Sequence, residues 1–322
     1  MTSTPLIQIV PNGNTGNRMI QHILALGIQS HVPSARIVGT HLPEWNISVP
    51  YEETDAPVRR LVGHRVKFRT ALKRLISGDI GGVRISTPCS RMEYLERYIK
   101  LARRAFRMKP VPNMDLSDKL VIHVRLNKMD KLRQGQASLG HRDYPALPIA
   151  YYEQLVDETH LEPLFVGEFG EDPVSVALKK RFPAASFIRQ PDAMKDWRLI
   201  YSAETVAISP STFSWLASWL SPYSRTIYLP MAGFLNPEQR PDIDLLPIRD
   251  PRFKFYDFPV EHWTASPDQI GRVVDGPGSK GQLTNEQVAE RLQQADVRSA
   301  EMQAARAGDI DTPALAEEGE SR

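Results

Sequence analysis

Short apolar segments alternate with amphipathic segments along the middle of the chain, and this alternation limits the folds that the sequence can adopt. Apolar runs with the length and β-branched content of buried strands lie at 119–126, 163–167, 186–188, 205–208 and 225–229. Helical periodicity between or after them covers 151–159, 174–181, 196–203 and 213–220. Strands that are joined by helices form parallel sheets, so the pattern predicts an α/β fold.

The N-terminal part begins in the same way. Residues 6–10 (LIQIV) predict a first strand, residues 11–17 (PNGNTGN) a loop, and the apolar positions after Arg18 a helix. A loop rich in glycine lets the backbone approach a ligand closely, but this one matches neither the P-loop nor G-x-G-x-x-G. Prolines interrupt the helical pattern at 109–113, which predicts a linker between two domains.

A hydroxyl-rich turn separates a predicted strand from a predicted helix at residues 209–220 (SPSTFSWLASWL). This order directs backbone N–H groups and the hydroxyls of Ser211, Thr212 and Ser214 to one place. The partial positive charge of a helix N-terminus favours an anion there. The alternative is that Ser211 or Ser214 only caps the helix.

His123 and Arg125 are two residues apart in the predicted strand at 119–126, so they project from the same face. A guanidinium at the end of a buried strand is costly without an anion, and its donors suit a phosphate or carboxylate. Ligands bind at the carboxyl ends of strands in open α/β sheets. Arg125 is therefore a candidate anion-binding residue, with a structural salt bridge as the alternative.

Three motifs together resemble one protein family. Residues 13–21 (GNTGNRMIQ) are similar to the G-x-G-N-[QR]-[ML]-x-Q opening of the bacterial α-1,2-fucosyltransferases. Residues 123–125 (HVR) resemble the H-x-R motif shared by α-1,2-, α-1,6- and protein O-fucosyltransferases. Residues 209–220 are similar to the S-N-S-[ST]-F-S-W-W-x-A-W-L stretch of the α-1,2 family, and all three motifs occur in the family's order.

The resemblance implies a GT-B fold, in which two Rossmann-like α/β domains face each other across a cleft. It implies an acceptor-side domain at 1–112, a nucleotide-sugar-binding domain at 113–262, and a C-terminal helical segment with a disordered acidic tail at 263–322. The residues that the resemblance places at the nucleotide sugar are Asn14, Gly16, Asn17, His123, Arg125, Ser211, Thr212, Phe213 and Ser214.

The activity that the resemblance implies is inverting, metal-independent transfer of fucose from GDP-fucose to a hydroxyl of an oligosaccharide or glycolipid, in polysaccharide biosynthesis. No cofactor beyond the donor substrate is expected. Such a transfer needs charge stabilisation for the departing diphosphate, which Arg125 suits, and a base for the acceptor hydroxyl. Asp130, His141, Asp143 and Glu168 are candidates for the base, and Asp143 and Glu168 are the two that we select.

The chain departs from the family motif after Arg125. The family usually continues with Arg-Gly-Asp, whereas residues 126–130 are LNKMD, so Lys128 occupies the position of the acid. Pro210 and Leu216 replace the usual asparagine and second tryptophan of the other motif. Two alternatives follow: a glycosyltransferase of the same fold that uses another nucleotide sugar, and a catalytically inactive module that binds a glycan or nucleotide.

Composition argues against several other classes of protein. The chain has 40 basic and 38 acidic residues, so no overall field favours nucleic acid. A single cysteine, Cys89, excludes an internal disulfide and a cysteine-rich zinc site, and the eight histidines lack metal-ligand spacing. The start of the sequence does not resemble a signal peptide and no long apolar run occurs, which predicts a cytoplasmic protein.

Basic residues are concentrated between positions 59 and 107, where acids are few. A solvated helical face is one interpretation, and a surface for a polyanionic acceptor or the cytoplasmic face of a membrane is the other. The basic residues of this segment are Arg59, Arg60, Arg65, Lys67, Arg69, Lys73, Arg74, Arg84, Arg91, Arg97, Lys100, Arg103, Arg104 and Arg107.

Overall fold

The structure is a computed structural model that describes residues 4–112, 114–126, 142–190 and 192–310, with 303–310 described as backbone. Two sheets, one of four and one of seven strands, each pack against helices. The predicted α/β class with the two-unit architecture of GT-B is confirmed. We call the parts built on the four-stranded and seven-stranded sheets the first unit and the second unit.

The first unit carries a parallel sheet and a separate hairpin. Its strands are β1 (Leu6–Ile9), β2 (Arg36–Val38), β3 (Thr40–Leu42), β4 (Ile47–Val49), β5 (Val58–Leu61) and β6 (Gly82–Ile85). Its helices are α1 (Thr15–His31), α2 (Phe68–Ile76), α3 (Met92–Leu95) and α4 (Ile99–Ala105). The sheet has the order β2-β1-β6-β5 with all pairs parallel, and β3 and β4 form the antiparallel hairpin.

The second unit contains the larger sheet. Its strands are β7 (Lys119–Val124), β8 (Glu162–Gly167), β9 (Ser186–Ile188), β10 (Thr205–Ala207), β11 (Thr226–Met231), β12 (Phe253–Asp257) and β13 (Gln282–Leu283). Its helices are α5 (Ile149–Thr159), α6 (Pro173–Arg181), α7 (Ala193–Ser202), α8 (Thr212–Leu220), α9 (Pro267–Asp275) and α10 (Asn285–Ile310).

The strand order of the second sheet is β13-β12-β11-β10-β7-β8-β9, and only β13 is antiparallel to its neighbour. Without β13 this is the 3-2-1-4-5-6 order of dinucleotide-binding folds. From β7 the chain adds β8 and β9 on one side of the sheet, and it then adds β10, β11 and β12 on the other side, so its direction reverses between β7 and β10. In such sheets the carboxyl ends of the two strands at the reversal leave a crevice that binds ligands.

The helix predicted over 91–107 is interrupted. A 3-10 turn at Glu96–Tyr98 separates α3 from α4. The ring of Tyr98 lies against Gly27 of α1, where an added Cβ would come within 2.3 Å of the ring. A glycine at position 27 leaves the space that this ring fills, so a tertiary contact accompanies the break in the helical pattern.

The two units share one continuous core. Trp45 of the first unit contacts Trp197 of α7, with 5.4 Å between ring centroids, and Trp197 contacts Phe213 of α8 at 5.1 Å. Burying an aromatic side chain of this kind stabilises the folded chain by about 1.5–3 kcal/mol. The relative placement of the units is therefore maintained by apolar packing.

The last helix joins both units. Arg291 on α10 pairs with Asp257 at the end of β12, at 2.6 Å and 3.0 Å. Asp296 on the same helix accepts hydrogen bonds from Arg65 and from Arg91, the latter at 2.8 Å, and the Arg91 side chain is only 5% exposed. The interpretation of all basic residues at 59–107 as one solvated face is therefore wrong for Arg91.

α10 lies within the C-terminal segment predicted at 263–322, and residues 311–322 lie outside the described residues. The domain boundaries at 112 and 262 stay predictions. Among the residues that the structure describes, no helix has the length and apolar character that a membrane span requires.

Candidate functional site

The candidate site lies at the carboxyl ends of β7 and β10, where the strand order reverses. Nδ1 of His123, from β7, lies 2.7 Å from Oγ of Ser209, which follows β10. Beyond this pair, Arg125 donates from Nη1 to Oγ of Ser211 at 3.2 Å. The two motifs that the sequence singled out are thus in direct contact, at the crevice where an open α/β sheet binds ligands.

His123 is buried and neutral at physiological pH. Burial, followed by the positive charge of Arg125, lowers the pKa of its imidazole to about 3. Its ring lies 6.1 Å from that of Phe213, and its bond to Ser209 fixes the ring's orientation. A neutral imidazole in this place can orient neighbouring groups but cannot supply a proton near pH 7.

Arg125 is oriented by two neighbours. In addition to its bond to Ser211, its guanidinium lies over the ring of Tyr144, with 4.5 Å from Cζ to the ring centroid. Such a cation–π contact is worth about 0.5–2 kcal/mol. Burial raises the pKa of Tyr144 and the charge of Arg125 opposes that rise, so Tyr144 remains a neutral phenol. The sequence indicated Tyr144 only as part of the polar segment after the strand of Arg125, and not as a neighbour of Arg125 or of the nucleotide sugar.

The N-terminus of α8 is not capped by a side chain. Ser211 occupies the N-cap position with extended backbone, and its hydroxyl accepts from Arg125 and makes no capping bond. Ser214 donates back to the carbonyl oxygens of Ser209 and Ser211, both at 3.4 Å. The alternative of a simple serine cap is therefore not what the structure shows, and within the described ranges the first N–H groups of α8 have no side-chain acceptor.

The N-terminus of α1 meets that of α8 across the contact between the units. Asn14, the N-cap residue of α1, also makes no side-chain cap, and Thr212 donates from Oγ1 to Oδ1 of Asn17 at 3.1 Å. In these two fully described helices, neither first turn carries an acidic side chain. Two helix N-termini and a guanidinium thus concentrate positive charge in one place, which favours an anionic ligand.

Gln21 positions the loop that precedes α1. Its Nε2 donates to the carbonyl oxygens of Val10 at 2.9 Å and Ile85 at 3.3 Å, and its Oε1 accepts from the N–H of Asn12 at 3.1 Å. The ends of β1 and β6 are thereby tied to the loop. The sequence contained a signal for this role, because Gln21 is a polar residue on the buried face of the predicted helix.

The two residues selected as the base have different environments. Asp143 has a side chain only 4% exposed and accepts from Arg240 Nη1 at 2.7 Å and Gln239 Nε2 at 3.1 Å. Glu168 is exposed, directly follows β8, and accepts from the N–H of Leu126 at 3.2 Å. The other candidates, Asp130 and His141, and the departure at Lys128 lie outside the described residues.

Asp196 is a further acidic residue at this edge of the sheet. It is 8% exposed, and within the described part of the chain its Oδ1 has no hydrogen-bond partner. Burial, with a contribution from Asp192, raises the pKa of its carboxyl to about 7. It lies in the first turns of α7, which pack over β7 and β8, and it precedes Trp197, which touches Phe213. No pattern in the sequence identified it.

Across the described ranges, no three His, Cys, Asp or Glu side chains are grouped so as to hold a metal ion.

Replacing Gly16 by valine is expected to destabilise the fold by about 1–3 kcal/mol, as overpacking does. An added Cβ at Gly16 would lie 2.6 Å from Oγ1 and 2.9 Å from the backbone carbon of Thr212, so a helix must move. Chemical denaturation measures the loss as a lower free energy of unfolding. Gly271→Val in α9 is the matched control, because no atom lies within 4 Å of its added Cβ. Equal stability of the two variants would contradict a tight α1–α8 contact.

No protein-family model and no curated protein sequence matches the chain. Among solved structures, it is similar to POFUT1 in complex with GDP-fucose, with a TM-score of 0.38, 10% identity, and coverage of 70% of this chain and 98% of that chain. It is also similar to the heptosyltransferase WaaC of E. coli with ADP, with a TM-score of 0.38, 11% identity, and coverage of 70% of this chain and 86% of that chain.

A third similar structure is the iron-containing dodecameric glycosyltransferase TibC from enterotoxigenic E. coli, with a TM-score of 0.41, 13% identity, and coverage of 90% of this chain and 76% of that chain. The fold class follows from the strand order and the helix placement described above.

Proposed function

We propose that the protein is an inverting, metal-independent glycosyltransferase that takes fucose from GDP-fucose and transfers it to a hydroxyl of an oligosaccharide or glycolipid. The observation that carries this proposal is the meeting of two uncapped helix N-termini, of α1 and α8, beside Arg125. A sugar nucleotide brings a diphosphate, whose two phosphates can each face one of these positive elements.

The same elements would serve the chemical step. As the bond between the sugar carbon and the diphosphate oxygen breaks, negative charge grows on the diphosphate. The guanidinium of Arg125 and the N–H groups at the start of α8 are already oriented by Ser211, Tyr144 and the helix backbone. Donors that need no reorganisation stabilise a developing charge best, so they assist departure of GDP.

We assign the base to Glu168 and a positioning role to Asp143. Inverting transfer is assisted by a base that takes the proton of the acceptor hydroxyl as that oxygen attacks the sugar carbon and the bond to the diphosphate breaks. Glu168 is an exposed carboxylate at the end of β8, the strand next to β7, at the edge of the sheet where the candidate site lies. Asp143 is held by Arg240 and Gln239 and directly precedes Tyr144, so it fixes the segment that contacts Arg125.

A panel of nucleotides tests the proposal. Purified protein is titrated with GDP, UDP, CMP and TDP by calorimetry, and transfer from GDP-fucose to oligosaccharide acceptors is followed by release of GDP. We expect saturable GDP binding and fucose transfer. Preference for another nucleotide would support the alternative of a different donor. GDP binding without any transfer would support an inactive binding module, and no nucleotide binding would refute the proposal.

Asp196 is suited to select the base of the nucleotide. Guanine presents two adjacent N–H donors on its pairing edge, and a carboxylate accepts both, whereas uracil has no such pair. We expect Asp196→Asn to weaken GDP binding about 10- to 100-fold, the range of charge-assisted hydrogen bonds. Because GDP binds the ionised carboxyl, affinity should rise with pH through about 7 in the original chain and stay flat in the variant.

Calorimetry at pH 6, 7 and 8 measures both effects. Asp192→Asn is the matched control for the affinity at pH 8, because Asp192 caps α7 by accepting from the N–H of Met194 and asparagine caps equally well. Since the charge of Asp192 contributes to the raised pKa of Asp196, this variant should keep the rise in affinity but shift it to lower pH. If Asp196→Asn keeps the affinity for GDP and its preference over UDP, the base is recognised elsewhere.

A further inference from the structure

A second cavity lies where the two units meet, apart from the crevice between β7 and β10. Its volume is about 730 Å³. The first unit contributes residues 66–70 at the start of α2 and five residues between 92 and 97. The second unit contributes Asp244, residues 246–249 and Leu292 of α10. None of the predicted site residues lines it. The backbone pairs across the units at its edge, where Met92 donates to the carbonyl oxygen of Asp244 at 2.8 Å.

The cavity lies on the side of the first sheet that faces the candidate site. The helices α2 and α3 follow β5 and β6, so they begin near the carboxyl edge of the sheet, the same edge at which β1 leads into the 11–17 loop. β6 lies between β1 and β5, and two strand spacings amount to about 10 Å. The cavity therefore lies near the same edge of the first sheet as the 11–17 loop of the candidate site.

The cavity wall carries excess positive charge. Two of its acids have partners: the exposed Glu93 accepts from Arg91 at 2.9 Å, and the half-buried Glu96 lies 3.6 Å from Arg249. Lys67, Arg69 and Arg97 have no acidic partner within 4 Å in the described part of the chain. Unpaired cations at the rim of a cavity favour an anionic ligand.

Two further features bear on the charge of this wall. The N-terminus of α2 has neither a side-chain cap nor an acid in its first turn, so its dipole adds to the positive field. Asp244 is the one remaining acid of the lining, and burial raises the pKa of its carboxyl to about 6. Its Oδ1 accepts from the N–H of Leu246 at 3.2 Å, and it forms no ion pair within 4 Å with Lys67, Arg69 or Arg97, all of which are described residues.

The inner wall is apolar. Phe68, Met92 and Leu246 are buried side chains of the lining, and they form a surface suited to the C–H face of a sugar ring. We propose that this cavity binds an anionic saccharide, an acidic or phosphorylated sugar, with its charged group on Lys67, Arg69 and Arg97. The ligand class stands on the cavity itself; only its role as the acceptor of the transfer rests on the proposed function.

The probes for the test are glucose 6-phosphate, glucuronate and glucose, titrated onto the full chain by calorimetry. We expect at least one charged sugar to bind at least tenfold more tightly than glucose, and the double variant Arg69→Glu/Arg97→Glu to bind it at least tenfold more weakly. The variant should fold, because a glutamate in the first turn of α2 suits the helix dipole.

Arg74→Glu is the matched control, since Arg74 lies in the last turn of the same helix outside the cavity. It should bind the charged sugar as the original chain does. Binding of only the phosphate or only the carboxylate would narrow the ligand class. Equal binding of charged sugar and glucose, or undiminished binding by the double variant, would overturn the proposal.

GDP titrations of the same proteins separate this proposal from the proposed function. The double variant should keep GDP binding, while Arg125→Ala should lose GDP binding and keep the charged sugar. A chain that binds the charged sugar through Arg69 and Arg97 but never binds GDP would retain the cavity assignment and refute the transferase. A chain that binds GDP but does not bind the charged sugar through Arg69 and Arg97 would retain the transferase and refute the cavity assignment.

Discussion

Arg125→Lys is expected to lose fucose transfer nearly as severely as Arg125→Ala, by roughly 30- to 1000-fold. The loss corresponds to about 2–4 kcal/mol of transition-state stabilisation, the range for a charge-assisted pair in a preorganised site. Lysine keeps the charge but lacks the planar fork that Ser211 and the ring of Tyr144 orient in Arg125. Steady-state kinetics with GDP-fucose and calorimetry with GDP measure the effect.

Thermal unfolding separates this role from a structural one. Both variants should unfold within a few degrees of the original chain, because Arg125 lies at the end of β7 outside the apolar core. Arg198→Lys, at an exposed position on α7, is the control and should change neither the rate of transfer nor the unfolding temperature. Variants that remain active and unfold much earlier would show that Arg125 is part of a structural salt bridge.

Glu168→Gln is expected to lower the rate of transfer by about 10²- to 10⁴-fold, the range for removal of a general base. The amide has nearly the same shape and accepts from the N–H of Leu126 as the carboxylate does at 3.2 Å, so GDP affinity should change less than threefold. Single-turnover kinetics with bound GDP-fucose isolate the chemical step from substrate binding and product release.

Asp143→Asn provides the contrast. Its carboxylate is buried against Arg240 and Gln239, so the substitution should cost about 1–3 kcal/mol of stability, with a smaller loss of transfer. If Asp143→Asn keeps its stability but loses transfer as severely as we expect for Glu168→Gln, the base is Asp143 and not Glu168.

Much of the second unit could be predicted from its sequence, because buried parallel strands are short apolar runs between helices. The predicted strand at 186–188 coincides with β9, and the predicted helix at 174–181 falls within α6. The hairpin of β3 and β4 was not predicted, because its three-residue strands lie in a polar segment marked by prolines. In β12, the exposed Lys254 interrupts the apolar run and conceals the strand.

The approach of His123 and Arg125 to the serine turn could be predicted because carboxyl ends of parallel strands share one edge of a sheet. The same reasoning could not reveal Tyr144 over Arg125, because that contact depends on how the chain returns from the loop after β7. Nor could it reveal the unpartnered oxygen of Asp196, which depends on the rotation of α7 about its axis. Contacts that depend on the rotation of a helix about its axis or on the path of a loop leave no periodic pattern in the local sequence.

The salt bridges of α10 are one of several connections between the two units. They run from Asp257 through Arg291 and Asp296 to Arg65 and Arg91, and they add to the chain between α4 and β7 and to the contact of Trp45 with Trp197. Two bodies that are joined at one place can swing about it, whereas bodies that are joined at several places through an apolar interface move together. Gly16 and Thr212, which touch across that interface, would report any change in the placement of the units directly.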